Sequence, residues 1–427
     1  MKNNVRRNFI KSLASGMVGS LALPSFVYSS VLKMDTRWLP SDLDSSEEYW
    51  QSVRAQFEFA PGLRYFNNAS LGASPLSVQA ATNEFRKTLD GFPSKYMWGG
   101  WQEEKEGVRK KIAELFSVSA EEIALIHNTT EGMNLIARSF SLQPGDEIIL
   151  ADHEHASATI PWEVWQQDNG VKLIRPTLPI LPRTVDELVA VYEKAITRKT
   201  KIISMCHIVN TNGMILPVKQ VADMAHKRGI LVAVDGAQSA GMLQIDLHDL
   251  GCDFYAASSH KWLFSPKGVG VFYAREESQH YLKPLMVARG HRDKSIRRLE
   301  NYNTRNLPEV LGLGSAVDFI DKIGIEKIQL RTFELKDYFR SKLADNPNFK
   351  FKTPELDELS GAIQVIEIVG KDVVKIKKQL YDEYGIDCRP MTGFDLNALR
   401  ISLSVYITKN DIDYLVEALT SLAERTD

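Results

Sequence analysis

The chain has 427 residues, of which 44% are hydrophobic and 25% charged, the composition of an ordinary globular protein. Its formal net charge is −2, and lysines and arginines are interspersed with acidic residues, so nothing in the composition predicts nucleic-acid binding. The length suggests two or three domains. After the N-terminal region, no apolar run approaches the ~20 residues that span a bilayer.

Residues 1–30 predict a targeting segment. Arg6 and Arg7 precede two apolar residues and a lysine, which resembles the twin-arginine export signal of bacteria. The weakly apolar stretch 13–23 is too short for a transmembrane helix and suits the apolar part of a signal. We therefore expect export to the periplasm, with cleavage between residues 22 and 30 or retention of an N-terminal anchor. A disordered basic tail is the alternative.

The region after this segment alternates between two kinds of apolar pattern. Residues 31–75 predict an N-terminal arm. Short apolar runs predict strands at 123–128, 147–151, 172–176, 201–208, 230–234, 252–257 and 269–274. Amphipathic periodicity predicts helices at 77–89, 103–116, 129–140, 186–196 and 218–227. Strands that alternate with helices predict the α/β class, with a mostly parallel sheet covered by helices.

Polar residues follow several of these strands. Thr130 lies at the start of a predicted helix, where free N–H groups can bind a phosphate, although an ordinary threonine cap is an alternative. His155 could stack on a flat ring or serve only a structural role. Asn210 and Asp235 end neighbouring strands, and strand ends on one side of a parallel sheet collect ligand groups.

Lys261 lies between two apolar strand runs and directly follows Ser258, Ser259 and His260. Partial burial disfavours the ammonium form of a lysine and favours its nucleophilic form. A lysine that forms a Schiff base and an aspartate, here Asp235, that holds a pyridinium nitrogen are the pair that pyridoxal 5'-phosphate (PLP) requires. The alternative is a salt-bridged core lysine and a structural aspartate.

The C-terminal part of the chain predicts a second, smaller α/β unit. A helical stretch at 308–344, interrupted near Gly324, precedes it. Its strands are predicted at 362–369, 386–389 and 399–403, and its helices at 373–384 and 410–423. We therefore divide the chain into the targeting segment, the arm, a large domain at 76–300, and a linker helix with a small C-terminal domain at 301–427.

In this order, these motifs resemble the class V aminotransferases, PLP enzymes of fold type I that include cysteine desulfurases and isopenicillin N epimerase. The resemblance covers about residues 60 to 425, and Asp235 and Lys261 are 26 residues apart, as is typical of the family. It implies a large PLP-binding domain that is built on a mostly parallel, seven-stranded sheet of the kind found in fold type I. Lys261 would form the Schiff base and move protons at the substrate α-carbon, and Asp235 would keep the pyridine nitrogen protonated.

The resemblance also implies roles for further residues. Gln238 and Asn210 would lie at the phenolate oxygen of the ring, and His155 would stack on its face. Thr130, Ser258 and His260 would hold the phosphate. Gly290 and Thr304 resemble positions through which a neighbouring subunit completes the phosphate site, so a homodimer is implied. Arg400 resembles the arginine that binds the substrate α-carboxylate, which a planar guanidinium suits.

The choice of reaction is less defined. Cysteine desulfurases carry a cysteine on a loop before the carboxylate-binding arginine, whereas the segment 389–397 has none and Cys388 does not match. The best match is the isopenicillin N epimerase-like branch, on the segments 65–72 and 128–134. Epimerisation needs a second base, which the sequence does not identify.

Several alternatives stay open. A C–S lyase or desulfurase-type enzyme is one, and a siderophore-peptide-modifying enzyme is another. A non-catalytic periplasmic binding protein that kept the fold is an alternative of a different class. The expected partners are an amino-acid or peptide substrate, the twin-arginine translocation machinery and a second copy of the chain, with no metal. Cys206 and Cys252 lie in strand runs and predict buried structural thiols.

Overall fold

A seven-stranded sheet forms the centre of the computed structural model, which describes residues 46–425. The predicted targeting segment at 1–30 lies outside the described residues. The strand order is β2-β8-β7-β6-β5-β3-β4, and every strand except β8 runs in the same direction. The strands are β2 (Ile123–Ile126), β3 (Glu147–Ile149), β4 (Lys172–Ile174), β5 (Thr200–Cys206), β6 (Leu231–Asp235), β7 (Phe254–Ser258) and β8 (Gly270–Ala274). The predicted α/β class and mostly parallel sheet are confirmed.

Helices cover this sheet, because its central strands are apolar on both faces and need cover on both. The helices associated with it are α2 (Leu76–Gly91), α3 (Gln102–Leu115), α4 (Thr129–Ser139), α5 (Ala156–Asn169), α6 (Val185–Ala195), α7 (Val218–His226) and α8 (Leu307–Ile323). Helix α8 packs against α2 and α3. A shorter helix, α1 (Glu47–Arg54), begins the described chain, and Ser46 caps it.

A four-stranded antiparallel sheet forms the C-terminal part, in the order β12-β13-β10-β9. Its strands are β9 (Phe349–Phe351), β10 (Ile363–Ile368), β12 (Arg389–Met391) and β13 (Ala398–Ser402). The helices of this region are α9 (Ile325–Leu343), α10 (Val373–Tyr384) and α11 (Lys409–Glu424). Gly324 separates α8 from α9, as the sequence predicts. A two-stranded parallel pair, β1 (Arg64–Tyr65) and β11 (Ile386–Asp387), ties the N-terminal region to this part.

Several elements of the described chain were not predicted from the sequence. Helix α5 is not predicted, because it contains Pro161 and its apolar residues form no clear stripe. The stretch Tyr96–Gly100 forms a single π-helical turn with non-helical dihedral angles at Trp98 and Gly99. In the part of the chain that the structure covers, no helix combines the length and apolar character needed to cross a membrane.

Candidate active site

A cavity of about 250 Å³ opens at the carboxyl edge of the central sheet, where ligands bind in open α/β folds. Residues that follow β2, β3, β5, β6 and β7 line it together. Eight of the predicted site residues are among them: Thr130, His155, Asn210, Asp235, Gln238, Ser258, His260 and Lys261. The sequence-based grouping of these residues therefore corresponds to a single cavity.

Lys261 is the amine of this cavity. Burial lowers its pKa from the ordinary value of 10.5 to about 8, although the nearby Asp235 opposes the shift. Its side chain forms no recorded hydrogen bond or ion pair within residues 46–425. The structure therefore holds a lysine whose neutral, nucleophilic form is accessible near neutral pH.

Asp235 ends β6 in the middle of the sheet edge and is almost fully buried. One carboxylate oxygen accepts a hydrogen bond from the Ala237 N–H at 2.9 Å, which holds the side chain in place. Burial raises the pKa of Asp235, while the Ala237 N–H, Lys261 and His155 lower it. A cationic ring nitrogen would offset the cost of keeping this carboxylate charged in a buried position.

The N-terminus of α4 forms the opposite end of the cavity. Asn128 caps the helix by accepting from the Glu131 N–H, and the Ser258 hydroxyl accepts from the Thr129 N–H at 2.9 Å. Thr130, exposed to the cavity, forms no recorded backbone N–H hydrogen bond in the described chain. The end of the helix thus offers a free N–H and a hydroxyl to an anion. Ser258 supports this helix end directly, in addition to its predicted contact with a phosphate.

A turn at residues 67–72, here called the N-terminal turn, packs against the segment that carries Lys261. The Gly72 N–H donates to the His260 carbonyl at 2.8 Å. A Cβ atom on Gly72 would lie 2.1 Å from the Lys261 carbonyl oxygen, so only glycine fits there. The turn therefore fixes the backbone on either side of the Lys261 side chain.

Gln238 is held by the protein at both ends of its amide. Its Nε2 donates to the Ala69 carbonyl at 2.9 Å, and its Oε1 accepts from the Trp262 indole at 2.8 Å. One N–H of the amide is left for a ligand. The predicted hydrogen bond to a ring oxygen thus stays a prediction, now with one specific donor.

Arg400 lies on β13 and is almost fully buried. Its guanidinium donates to the Asn210 carbonyl at 2.9 Å and to the Ser70 hydroxyl at 2.6 Å, and both of these partners line the cavity. Burial lowers its pKa to about 9, and the neighbouring Arg389 contributes to the shift. Because Arg400 has no carboxylate partner in the described chain, it can receive an anionic substrate group.

Two histidines stand on the β3 side of the cavity. His155 caps α5, and its Nδ1 accepts from the Ser157 N–H at 3.2 Å, so its side chain is oriented by the helix end. His153 is buried, with Nδ1 2.7 Å from the Thr211 hydroxyl and its ring stacked on Phe394. The sequence-based reasoning considered only His155.

Gly290 and Thr304 do not lie in this cavity. Gly290 adopts a φ of +80° and lines a separate cavity of about 380 Å³, together with Asn303 and Arg305 on either side of Thr304. Thr304 itself is exposed. Within one chain neither residue lines the Lys261 cavity, and their predicted contribution to a neighbouring subunit stays a prediction.

The sequence analysis also did not identify Ser70, Arg389 and Glu154 as residues in or near the site. Ser70 contacts Arg400 across 330 residues of chain, which no local pattern reveals. Glu154 is fully buried, accepts from the Cys206 N–H at 2.9 Å, and has its pKa raised by burial to about 8. Its position directly before His155 is the only sequence signal it offers.

Comparison with known proteins agrees with this geometry. The model of the family described as aminotransferase class-V matches residues 64–415. The chain belongs to the aminotransferase class-V family. An isopenicillin N epimerase from Streptomyces clavuligerus is 31% identical over 395 residues, which cover 87% of this chain and 98% of that protein. A probable cysteine desulfurase from Halalkalibacterium halodurans is 31% identical over 389 residues, covering 85% and 93%.

Solved structures show the same fold. The cysteine desulfurase CsdA from Escherichia coli has a TM-score of 0.76 and 27% identity, over 88% of this chain and 98% of that one. A C-DES variant with glycine covalently linked to its PLP cofactor has a TM-score of 0.78 and 22% identity, over 87% and 99%. At 22% identity, the similarity to the C-DES structure shows a shared fold and nothing further.

Pyridoxal phosphate is the cofactor of this class V enzyme, and the residues of the cavity fit it. Lys261 would supply the amine, Asp235 the carboxylate for the ring nitrogen, and the start of α4 the donors for the phosphate. The His260 Nδ1 is buried without a partner within residues 46–425, as expected of a group that meets a ligand atom. The cavity thus combines an amine, a carboxylate and anion-binding donors, the groups that this cofactor would need.

Proposed function

We propose that this class V enzyme acts at the α-carbon of an amino acid or of an amino-acid group within a peptide, as an isopenicillin N epimerase-like enzyme. Bound PLP withdraws electrons from the α-carbon of an attached amino acid and so weakens its bonds. The observation that carries the proposal is the meeting of two groups at one cavity. Lys261, with its lowered pKa, lines the cavity, and Arg400, which has no carboxylate partner within residues 46–425, is hydrogen-bonded to the lining residues Ser70 and Asn210.

In this proposal each residue has a defined task. Arg400, held by Ser70 and Asn210, binds the α-carboxylate and thereby orients the α-carbon. Lys261 takes the α-proton on its neutral amine from one face of the α-carbon, and inversion additionally requires a proton donor at the opposite face. Asp235 keeps a positive charge on the ring nitrogen, and His155 closes the face of the ring on the β3 side.

The cysteines argue against a persulfide-forming desulfurase. All three, Cys206, Cys252 and Cys388, are buried, and burial raises the pKa of each thiol. A nucleophilic cysteine needs an accessible thiolate. Cys206 lines the cavity, but none of the three cysteines offers the exposed, readily ionised thiolate that would accept sulfur from the substrate.

The visible absorption spectrum of the purified protein tests the cofactor assignment. We expect a visible absorption band that borohydride abolishes and that the Lys261→Ala variant lacks while remaining folded. No band after addition of PLP would contradict the assignment. A Lys261→Ala variant that turns over amino acids at the wild-type rate would contradict the role of Lys261.

The reaction outcome is read from the same preparation in ²H₂O. Isotope entering the α-position together with inversion of configuration identifies an epimerase. Release of a sulfur species from cysteine or cystine identifies a C–S lyase. Proteins that retain the cofactor but alter none of a panel of amino acids and secreted peptides would favour the non-catalytic alternative.

We also propose that the protein is exported by the segment at residues 1–30. The support is the order of Arg6, Arg7 and the weakly apolar stretch that follows. Replacing both arginines by lysine keeps the charge but removes the arginine pair of the signal. We therefore expect the full-length protein to move from the periplasmic to the cytosolic fraction. Equal periplasmic amounts of the two forms would contradict this route.

A further inference from the structure

Arg389 and Arg400 lie directly opposite each other on the antiparallel strands β12 and β13. Opposed residues point to the same face of the sheet, with Cβ atoms ~5 Å apart, and like charges in that position are destabilising. Arg400 cannot move away, because it is almost fully buried. Its pKa is lowered by burial and, next, by Arg389. The pair is therefore unfavourable unless an anion joins it.

No such anion comes from the described chain. Within residues 46–425 neither guanidinium has an aspartate or glutamate partner, and the buried Nε of Arg400 has no hydrogen-bond partner. Buried charges in proteins are ordinarily paired, so an unpaired buried arginine indicates a ligand that arrives from outside.

Ser70 places both arginines at the cavity of Lys261. Its hydroxyl lies 2.6 Å from Nη2 of Arg400 and 3.4 Å from Nη1 of Arg389, and Ser70 itself lines the cavity. Arg389 also lowers the pKa of Lys261, after the effect of burial. The second arginine is exposed, whereas Arg400 is buried, so Arg389 lies on the solvent side of the pair.

When the charges around the cavity are paired, one arginine remains without a counter-charge. Lys261 faces Asp235, and the α-carboxylate assigned above neutralises Arg400. Arg389 then has no counter-charge in the described chain, although it stands beside the position of the substrate. A second negative group on the substrate would pair with it and would relieve the repulsion between the two arginines.

We propose that Arg389 binds a second anionic group, so that the substrate is an amino acid or peptide with a carboxylate in addition to its α-carboxylate. This inference rests on the proposed function, because it assumes that Arg400 holds the α-carboxylate. Arg389 is a specificity-determining residue in this scheme, and the proton chemistry remains with Lys261.

Unreactive acids test the proposal. Isothermal titration calorimetry of the PLP-loaded protein compares glutarate, which has two carboxylates, with butyrate, which has the same four-carbon acyl chain without the second one. We expect the wild type to bind glutarate about tenfold more tightly, the effect of one charge-assisted contact. Arg389→Gln should remove this preference and change the butyrate affinity by less than about twofold.

Two variants serve as controls. Arg198→Gln removes one positive charge at an exposed position without a recorded contact and should leave the preference for glutarate unchanged. Arg400→Gln should weaken both acids, because it removes the shared carboxylate contact. The visible band of Arg389→Gln should match the wild type, and its melting temperature should not fall, because the substitution removes the repulsion with Arg400.

Two results would overturn the inference. Equal wild-type affinity for glutarate and butyrate would show that no second anionic contact exists. An equal loss of both affinities in Arg389→Gln would show that Arg389 shares the α-carboxylate with Arg400. Either result can occur with an intact Lys261-dependent band, so it is distinguishable from failure of the proposed function, in which that band is absent.

Discussion

Lys261 acquires its reactivity from its surroundings. An exposed lysine is almost entirely protonated at neutral pH, whereas burial lowers the pKa of Lys261 to about 8. Asp235 acts in the opposite direction and limits the shift, because its negative charge stabilises the ammonium form. Burial thus favours the nucleophilic amine of Lys261, while the charge of Asp235, expected to pair with the ring nitrogen, limits how far the pKa of Lys261 falls.

This balance predicts a pH profile. The rate at which PLP attaches to the cofactor-free protein should rise with pH as Lys261 loses its proton and level off above about pH 8. Asp235→Asn should move this plateau to lower pH, because the ammonium form loses its stabilising charge. Stopped-flow absorption measures the rate, with Nα-acetyl-lysine as the control for an unperturbed amine. A wild-type profile that keeps rising to pH 10.5 would contradict the burial argument.

The N-terminal turn is the element on which several parts of the site depend. Ala69 accepts from Gln238, Ser70 accepts from Arg400, and Gly72 donates to the backbone before Lys261. The same turn pairs with the C-terminal sheet, because the Ser402 hydroxyl accepts from the Ala69 N–H at 3.1 Å. One short segment thus connects the residues around Lys261 and Gln238 with Arg400.

Gly72→Ala tests this coupling. The added methyl group would collide with the Lys261 carbonyl, so we expect a loss of about 1–3 kcal/mol in the free energy of unfolding and weaker PLP attachment. Gly91→Ala is the matched control, because a Cβ there meets nothing within 4 Å and the residue ends helix α2. Urea unfolding and absorbance titration measure both effects. Similar behaviour of the two variants would show that the close packing at Gly72 is unimportant.

At the scale of the whole molecule, Gly290 and Thr304 raise the question of assembly. Neither residue lines the Lys261 cavity of its own chain, and the second cavity beside them is lined by several arginines. The family resemblance assigns them to the phosphate site of a neighbouring subunit. A homodimer with two shared sites is the arrangement that would use them.

Mixed assemblies test this arrangement. Lys261→Ala removes the covalent attachment of PLP, and Thr304→Val removes a hydroxyl that we expect at the partner's phosphate. After the two variants are unfolded together and refolded, a mixed dimer should contain one site with both an intact Lys261 and an intact Thr304. PLP affinity should therefore recover in up to about half of the sites of the mixed dimers, by the symmetry of a two-fold pair.

The refolded single variants are the controls for this experiment. Lys261→Ala alone should show no lysine-linked band, and Thr304→Val alone should show weakened PLP binding at every site. If the mixture equals the average of the two single variants, Thr304 does not act across a subunit boundary. Size-exclusion chromatography of the same samples measures the assembly directly.

The local sequence predicted much of the architecture. Apolar runs and helical periodicity depend on neighbouring residues, so the strands of the central sheet and the helices on either side of Gly324 were predicted within a few residues. Helix α5 was missed because Pro161 and an even distribution of apolar residues hide its periodicity. The strand β9 has only three residues, too few for a recognisable pattern.

The sequence by itself determined that the chain carries PLP chemistry, because the ordered set of strand-end and helix-end motifs resembles one family, although each motif alone left a structural alternative open. Only the tertiary structure decided which distant groups surround them. The contacts of Ser70 with Arg400, of Gly72 with His260 and of Arg389 with Arg400 join segments that no local pattern relates. The lowered pKa of Lys261 likewise depends on burial by the whole fold, which is a property of packing and not of sequence spacing.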